Sequence, residues 1–157
     1  MKSPYSNYYS EVYKDKSTVD VNRAWIRRIK SSLAIPYSSE KKVLDVACGI
    51  STLGKLFSTD VYGLDSNPQA INASRANGIK AKLGNVDKKW DFPSNYFDIV
   101  IASHIIEHLI NPDHLMLESK RVLKKNGILI VATPNLAAWF NRLLLLIGVQ
   151  PFFTEVS

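Results

Sequence analysis

The sequence predicts an α/β fold with a mainly parallel sheet that is covered on both faces. Five short apolar runs alternate with segments of helical pattern, and several runs are apolar at consecutive positions. Strands that are buried on both faces have such runs, and a repeated strand-helix-strand order favours parallel strands joined by crossover helices. The candidate strands are residues 43–47, 61–65, 79–84, 97–103 and 127–133.

Three segments between these strands have the signals of helices. Residues 52–57 form a short helical pattern after the first strand. Asn67-Pro68 and Asn111-Pro112 begin two more helices, because asparagine is a favourable N-cap and proline fits the first helical turn. The later of these is expected to end at Asn126-Gly127, since glycine favours a helix C-terminus.

Two further helices are predicted outside the strand region. An amphipathic helix follows a capping box at residues 17–20 and continues until Pro36, where the ring prevents continuation. A last helix opens at Asn135 and has a broad apolar stripe as far as Ile147. We expect this last helix to pack in the core, and a lid or a contact with a membrane surface is the alternative.

Length and composition indicate one globular domain. The chain has 157 residues, of which 46% are hydrophobic, which suffices for one core. We divide it into a helical cap over residues 1–40, a cofactor-binding core over 41–134, and a helix and tail over 135–157. The single cysteine, Cys48, excludes an internal disulfide framework, and no apolar segment reaches the ~18 residues of a transmembrane segment. We therefore expect a cytoplasmic protein.

Positive charge is concentrated in the N-terminal part of the chain. Residues 1–42 contain nine basic and four acidic residues, so they carry +5 of the formal net charge of +6. Such a segment could attract nucleic acid, phosphorylated small molecules or acidic lipids. A solvated helix face explains the same pattern and is favoured, which makes nucleic acid a less favoured partner.

The turn after the first strand predicts a site for a ligand that contains ribose. Ligands of open parallel sheets bind beyond the carboxyl ends of the strands, where the stretch DVACGISTLG follows. Asp65 ends the second strand 20 residues after Asp45, and a carboxylate there can accept hydrogen bonds from both ribose hydroxyl groups. The stretch lacks the glycine spacing that brings backbone N–H groups to a pyrophosphate. S-adenosylmethionine, which has a ribose and an adenine but no phosphate, is favoured over a dinucleotide.

Small residues in this turn suit that cofactor. Gly49 would let the backbone pass close to the sulfonium and the amino acid moiety, with Ala47 and Ser51 as small residues on either side. Asp45 would supply negative charge near the ammonium and sulfonium groups.

Four stretches in a fixed order resemble a known family. They are VLDVACG, VYGLDSNP, GNVDKKWDFPSNYFDIVIASHIIEHL and RVLKKNGILIVATPN, and they extend from Val43 to about Asn135. In this order and spacing the chain resembles class I S-adenosylmethionine-dependent methyltransferases, particularly the group of ubiquinone-biosynthesis O-methyltransferases. The resemblance implies a Rossmann-like, doubly wound sheet with the strand order 3-2-1-4-5.

The resemblance also implies the residues that contact the cofactor. By analogy with the family, Asp45, Ala47, Cys48 and Gly49 would contact the methionine part of the cofactor. Asp65 and Ser66 would contact the ribose, and Asn85 and Val86 the adenine. Ser103 would lie near the methyl group. Family members commonly have glycine at the positions of Ala47 and Ser51 and an acidic residue at that of Asn85. The affinity could therefore be weaker, although the amide of Asn85 can still pair with the adenine amino group.

A second group of polar residues follows the fourth candidate strand. The stretch SHIIEHL places His104, Glu107 and His108 on one face if it is helical. The spacing H-x-x-E-H also occurs in zinc proteases, so a zinc hydrolase is a remote alternative. The resembled family has E-x-x-E-H here, which can contribute to divalent-metal binding, but imidazole suits Zn²⁺ better than Mg²⁺. We favour a brace for the loop without a metal, while either histidine could act as a general base.

The sequence ends soon after the last predicted helix, whereas the resembled family usually adds two further strands. Residues 127–133 would then form an open sheet edge, which soluble proteins normally avoid. We expect either that the chain is truncated, or that a second copy in a homo-oligomer or a partner chain covers this edge. We also expect the isolated monomer to self-associate.

The leading hypothesis is an S-adenosylmethionine-dependent methyltransferase that acts on a small-molecule or lipid-linked acceptor. Oxygen or carbon acceptors are favoured, because the N-P-P-Y type of sequence that marks many amino-group methyltransferases is absent after the fourth strand, where SHII stands. The alternative is a non-catalytic cofactor-binding module that a partner chain completes.

Overall fold

The computed structural model of the chain describes residues 26–50, 52–135 and 139–149. In chain order its elements are helix α1 (residues 26–32), strand β1 (Lys42–Val46), a 3-10 turn (Leu53–Leu56), β2 (Asp60–Asp65), α2 (Pro68–Ala76), β3 (Lys80–Leu83), β4 (Phe97–Ser103), a second 3-10 turn (Ile106–His108), α3 (Pro112–Val122), β5 (Leu123–Ala132) and α4 (Trp139–Leu146). The predicted capping box at residues 17–20 lies outside the described residues.

One sheet contains the five described strands, in the order β3-β2-β1-β4-β5, and every neighbouring pair is parallel. The predicted fold class and strand order are confirmed. Within β1, Asp45 is in register with Gly63 of β2 and Ile101 of β4. Because the strands are parallel, all their carboxyl ends meet at one edge, which is where α/β proteins of this topology bind ligands.

Both faces of the sheet are buried, as the continuous apolar runs predict. Leu44 and Val46 of β1 belong to a cluster that also contains Leu115 of α3. Val43 belongs to a second cluster, together with Ile26 of α1. Successive side chains of a strand point to opposite faces, so one apolar run serves both clusters.

Helix α3 ends at Val122, earlier than the predicted end at Asn126-Gly127, and β5 follows directly. The N–H groups of Asn95 and Tyr96 donate to the carbonyls of Arg121 and Val122 at 2.9 and 2.8 Å. These bonds satisfy carbonyl groups that a helix terminus leaves without partners. The helix therefore ends where a loop distant in sequence meets it, and the prediction was wrong by one turn.

Two other predicted helices also differ from expectation. The helix predicted over 52–57 is the 3-10 turn Leu53–Leu56. The described part of the last helix does not pack in the core as expected, because Trp139, Leu146 and Ile147 are 73%, 81% and 71% exposed. Its buried Asn141 instead donates to the carbonyl of Asn135 at 2.9 Å. Within the described ranges, no helix combines the length and apolar character needed to cross a bilayer.

Candidate functional site

A cavity of about 260 Å³ opens at the carboxyl edge of the sheet. Its lining comes from the turn after β1, the end of β2, the loop after β3 and the segment after β4. The lining residues are Ala47, Asp65, Ser66, Asn85, Val86, Asp87, Ile105, His108 and Leu109. The topology of the sheet explains this location, since these segments all follow the carboxyl ends of strands. The first five of these residues were predicted from the sequence.

Asp65 is fixed in the cavity wall by two backbone hydrogen bonds. Its carboxylate accepts the N–H of Gly49 at 2.8 Å through Oδ2 and the N–H of Asn67 at 2.8 Å through Oδ1. The residue is 7% exposed. A carboxylate has about four acceptor positions, so about two remain for a ligand. Asp65 therefore joins the turn after β1 to the start of α2 and can still present acceptors to the cavity.

The turn after β1 contains two left-handed residues. Ala47 has φ 53° and Gly49 has φ 51°. Glycine adopts this conformation without steric cost, whereas a residue with a Cβ atom is strained by about 1 kcal/mol or more. The conformation explains why glycine suits the position of Ala47, and it shows that this departure from the family pattern introduces backbone strain.

Ser74 anchors the turn from α2 and was not predicted. Its hydroxyl donates to the carbonyl of Gly49 at 2.7 Å, and the side chain is fully buried. The sequence does contain a signal that could have revealed this contact. Ser74 lies on the same helix face as the apolar Ala70 and Ile71, and a polar side chain buried on an apolar face requires a hydrogen-bond partner.

The side chain of Cys48 is not part of the cavity lining and lies against Ser74 of α2. It is 1% exposed and its Sγ lies 3.8 Å from Oγ of Ser74. A Cβ atom at Gly63 would lie 2.7 Å from this sulfur, so the glycine in β2 provides space for it. Burial, and then the negative charges of Asp45 and Asp65, raise the pKa of the thiol to about 12. The thiol is therefore protonated at neutral pH, and a contact of Cys48 with a ligand would use its backbone.

Asp45 and Ser103 lie at the same edge of the sheet but are not among the residues that line the cavity. Asp45 is 2% exposed and belongs to β1, whereas Ser103 ends the neighbouring strand β4 and pairs with Ala132. Their assignment as cofactor contacts remains a prediction.

The loop after β3 is held at both of its ends. The N–H of Gly84 donates to the carbonyl of Asp65 at 2.8 Å, and the indole N–H of Trp90 donates to the carbonyl of Val86 at 3.0 Å. The side-chain oxygen of Asn85 accepts the N–H of Asp87 at 2.8 Å. One acceptor position of this oxygen is thus used within the loop, and the other, together with the NH₂ group, remains for a ligand.

The histidine-rich segment after β4 is a 3-10 turn, whereas the zinc-protease motif requires a long helix. His104 has φ 54°, and its Nδ1 lies 3.7 Å from Oε1 of Glu107. The hydroxyl of Thr133 donates to the other oxygen of Glu107 at 3.2 Å. Among the residues that the structure describes, no three His, Cys, Asp or Glu side chains gather as a metal site. This geometry gives the zinc hydrolase no support, while His108 lines the cavity.

The family model described as a methyltransferase domain matches residues 44–131, which is more than half of the chain. The chain therefore belongs to this family, and its sheet and motifs place it among the class I S-adenosylmethionine-dependent methyltransferases.

Individual relatives agree with this assignment. The ubiquinone biosynthesis O-methyltransferase of Pelagibacter ubique is 31% identical over 138 residues, which cover 78% of this chain and 57% of that protein. A protein of known structure from Pyrococcus horikoshii is 27% identical, with a TM-score of 0.62 and coverage of 78% of this chain and 62% of that one. An S-adenosylmethionine-dependent methyltransferase from Thermotoga maritima shares the fold, with a TM-score of 0.71 at 16% identity and coverage of 89% and 65%. The chain spans about half the length of the curated relatives it matches.

Proposed function

We propose that this chain binds S-adenosylmethionine in the cavity at the carboxyl edge and transfers its methyl group to a small-molecule or lipid-linked acceptor. The carboxylate of Asp65 carries the proposal, because it is buried, fixed by two backbone N–H groups and set in the cavity wall. A fixed carboxylate is a specific acceptor for the two hydroxyl groups of a ribose.

The neighbouring residues fit the other parts of this cofactor. Val86 provides an apolar wall for the adenine, and Asn85 offers a side-chain amide at the same wall. The turn at Ala47 and Gly49 presents backbone to the methionine part, because its left-handed residues have small side chains or none. The proposal keeps Asp45, Cys48, Ser66 and Ser103 as further cofactor contacts.

S-adenosylmethionine supplies a methyl group on a positively charged sulfur. The contribution of the chain is to hold donor and acceptor in line and to exclude water. Ile105 and Leu109 give the cavity an apolar wall beside His108, which could accept a proton from an acceptor hydroxyl. We propose oxygen or carbon as the acceptor atom. The similarity to the ubiquinone biosynthesis O-methyltransferase of Pelagibacter ubique supports oxygen.

The proposal extends to the organisation of the protein. It includes a single domain with a cap over residues 1–40, a core over 41–134 and a tail over 135–157, and a cytoplasmic location. It also includes a second copy or a partner chain against β5, since β5 is an edge strand of the described sheet.

Calorimetry with S-adenosylhomocysteine and its 2′-deoxy and 3′-deoxy analogues tests the role of Asp65 without a substitution. Each missing hydroxyl should weaken binding by about 1.5–3 kcal/mol, because a hydrogen bond to a charged acceptor is lost. Equal affinities for the three ligands would remove the assignment of Asp65 to the ribose.

Transfer of a tritiated methyl group to extracted small molecules and lipids tests turnover. Labelled product is expected in the lipid or small-molecule fraction. Binding of S-adenosylhomocysteine without transfer to any fraction would favour the non-catalytic module.

A further inference from the structure

An ion pair on α3, formed by the buried Glu118 and the half-buried Arg121, contacts the loop after β3 and has no role in the proposed function. The guanidinium of Arg121 donates to both carboxylate oxygens of Glu118, at 2.8 Å from Nε and 2.6 Å from Nη2. Glu118 is 7% exposed. Taking two charges out of water is costly unless their remaining polar atoms are satisfied, and an apolar pair often stabilises a fold equally well. The role of the pair is therefore better judged from the hydrogen bonds that Glu118 and Arg121 make to other residues than from the ion pair itself.

Both members of the pair bind the backbone of residues 90–92. Glu118 accepts the N–H of Trp90 at 2.7 Å. Arg121 donates to the carbonyl of Trp90 at 2.9 Å and to that of Phe92 at 2.7 Å. One short segment of the loop is thus held by a donor and by an acceptor from the same helix.

Trp90 transmits this restraint to the cavity. Its side chain is 2% exposed, and the indole N–H donates to the carbonyl of Val86, which lines the cavity. The indole offers a single donor in a fixed direction, so its position determines where that carbonyl lies. A continuous series of hydrogen bonds therefore runs from α3 through Trp90 to the cavity wall.

We propose that Glu118, Arg121 and Trp90 are positioning residues that fix Val86 against the adenine of the cofactor without contacting the cofactor themselves. This inference rests on the proposed function. It assigns to the Glu118–Arg121 ion pair the task of holding the loop after β3 in one position.

Trp90→Phe in the full chain is the first test, because it removes the indole N–H and keeps an aromatic ring. We expect the Kd for S-adenosylhomocysteine and the Kd for adenosine to rise by the same factor, about five- to tenfold, as for the loss of one hydrogen bond. Phe57→Leu, in the cluster on the opposite face of the sheet, is the control for general destabilisation. It should lower thermal stability and leave both dissociation constants unchanged.

Glu118→Gln is the second test and decides the matter if Trp90→Phe does not fold. It keeps an acceptor for the N–H of Trp90 and loses the ion pair, so the Kd for S-adenosylhomocysteine should rise about threefold or more. Asp98→Asn is the matched control, because Asp98 forms an ion pair with Lys124 at 2.9 Å and neither residue lines the cavity. Its Kd should equal that of the wild-type chain.

The outcomes separate the two proposals. Unchanged dissociation constants in Trp90→Phe and Glu118→Gln, with normal binding by the wild-type chain, would overturn the positioning role and leave the proposed function intact. An equal loss of affinity in Phe57→Leu or Asp98→Asn would also overturn it, because destabilisation would then explain the effect. Failure of the wild-type chain to bind S-adenosylhomocysteine would remove the proposed function, and the positioning role with it.

Discussion

Ala47 holds the turn beside the cavity in a left-handed conformation, with φ 53°. We expect Ala47→Gly to raise the free energy of unfolding by about 0.5–1 kcal/mol, because relief of the strain exceeds the added entropy of glycine in the unfolded chain. Urea denaturation measures the difference. Ala73→Gly, inside α2, should instead lower stability by about 0.5–1 kcal/mol. A similar loss in both variants would show that Ala47 is unstrained.

The thiol of Cys48 should reduce stability at alkaline pH. Burial, followed by the charges of Asp45 and Asp65, raises its pKa from 9.0 to about 12. Between these values the folded state keeps the proton and the unfolded state releases it. The contribution of the thiol to the free energy of unfolding is therefore fully present below the pKa of the unfolded state. It decreases as the pH rises towards the pKa of the folded state, by up to about 1.4 kcal/mol per pH unit.

Urea denaturation at about pH 8 and about pH 10 measures this effect. Cys48→Ala is the control, because it cannot titrate at this position. The wild-type chain should lose more stability than the variant between the two conditions. Equal losses would show that the thiol titrates alike in both states.

At the scale of elements, α2 and α3 begin with the same arrangement. The side-chain oxygen of Asn67 accepts the N–H of Gln69 at 2.9 Å, and that of Asn111 accepts the N–H of His114 at 3.3 Å. A proline follows each asparagine as the first residue of the helix. We expect Asn67→Ala and Asn111→Ala each to lower the free energy of unfolding by about 0.5–2 kcal/mol. Chemical denaturation measures it, and the corresponding Asp variants should retain most of the stability. A loss as large in the Asp variants would argue against side-chain capping.

The beginnings of these helices could be predicted, because an N-cap and a proline act within a single turn. The end of α3 could not, since it depends on N–H groups of Asn95 and Tyr96 in another part of the chain. The segment after β4 shows the same limit. Its histidine spacing suits a helix, but His104 has φ 54° and its N–H binds the carbonyl of Ala132 on β5.

At the scale of the whole molecule, the exposed apolar side chains of the described residues are concentrated on and just after α4. Leu146 and Ile147 are 81% and 71% exposed, and β5 is an edge strand of the described sheet. Such surfaces favour association. We expect the chain to self-associate, and Leu146→Glu combined with Ile147→Glu to shift sedimentation profiles towards the monomer.

Ile110→Glu is the control for this experiment, because Ile110 is 94% exposed on a different segment. It should leave the sedimentation profile of the wild-type chain unchanged over the same concentration series. An equal effect of both changes would indicate a general influence of charge on solubility.

The sequence by itself determined the class of fold, the edge at which the cavity opens and the carboxylate at the end of β2. These features follow from local patterns, since apolar runs and helix caps act over a few residues and parallel strands share one carboxyl edge. Only the tertiary structure decided which atoms of that edge face the cavity. The thiol of Cys48 turns towards Ser74, and Glu118 reaches Trp90, because contacts between residues far apart in the chain set these orientations.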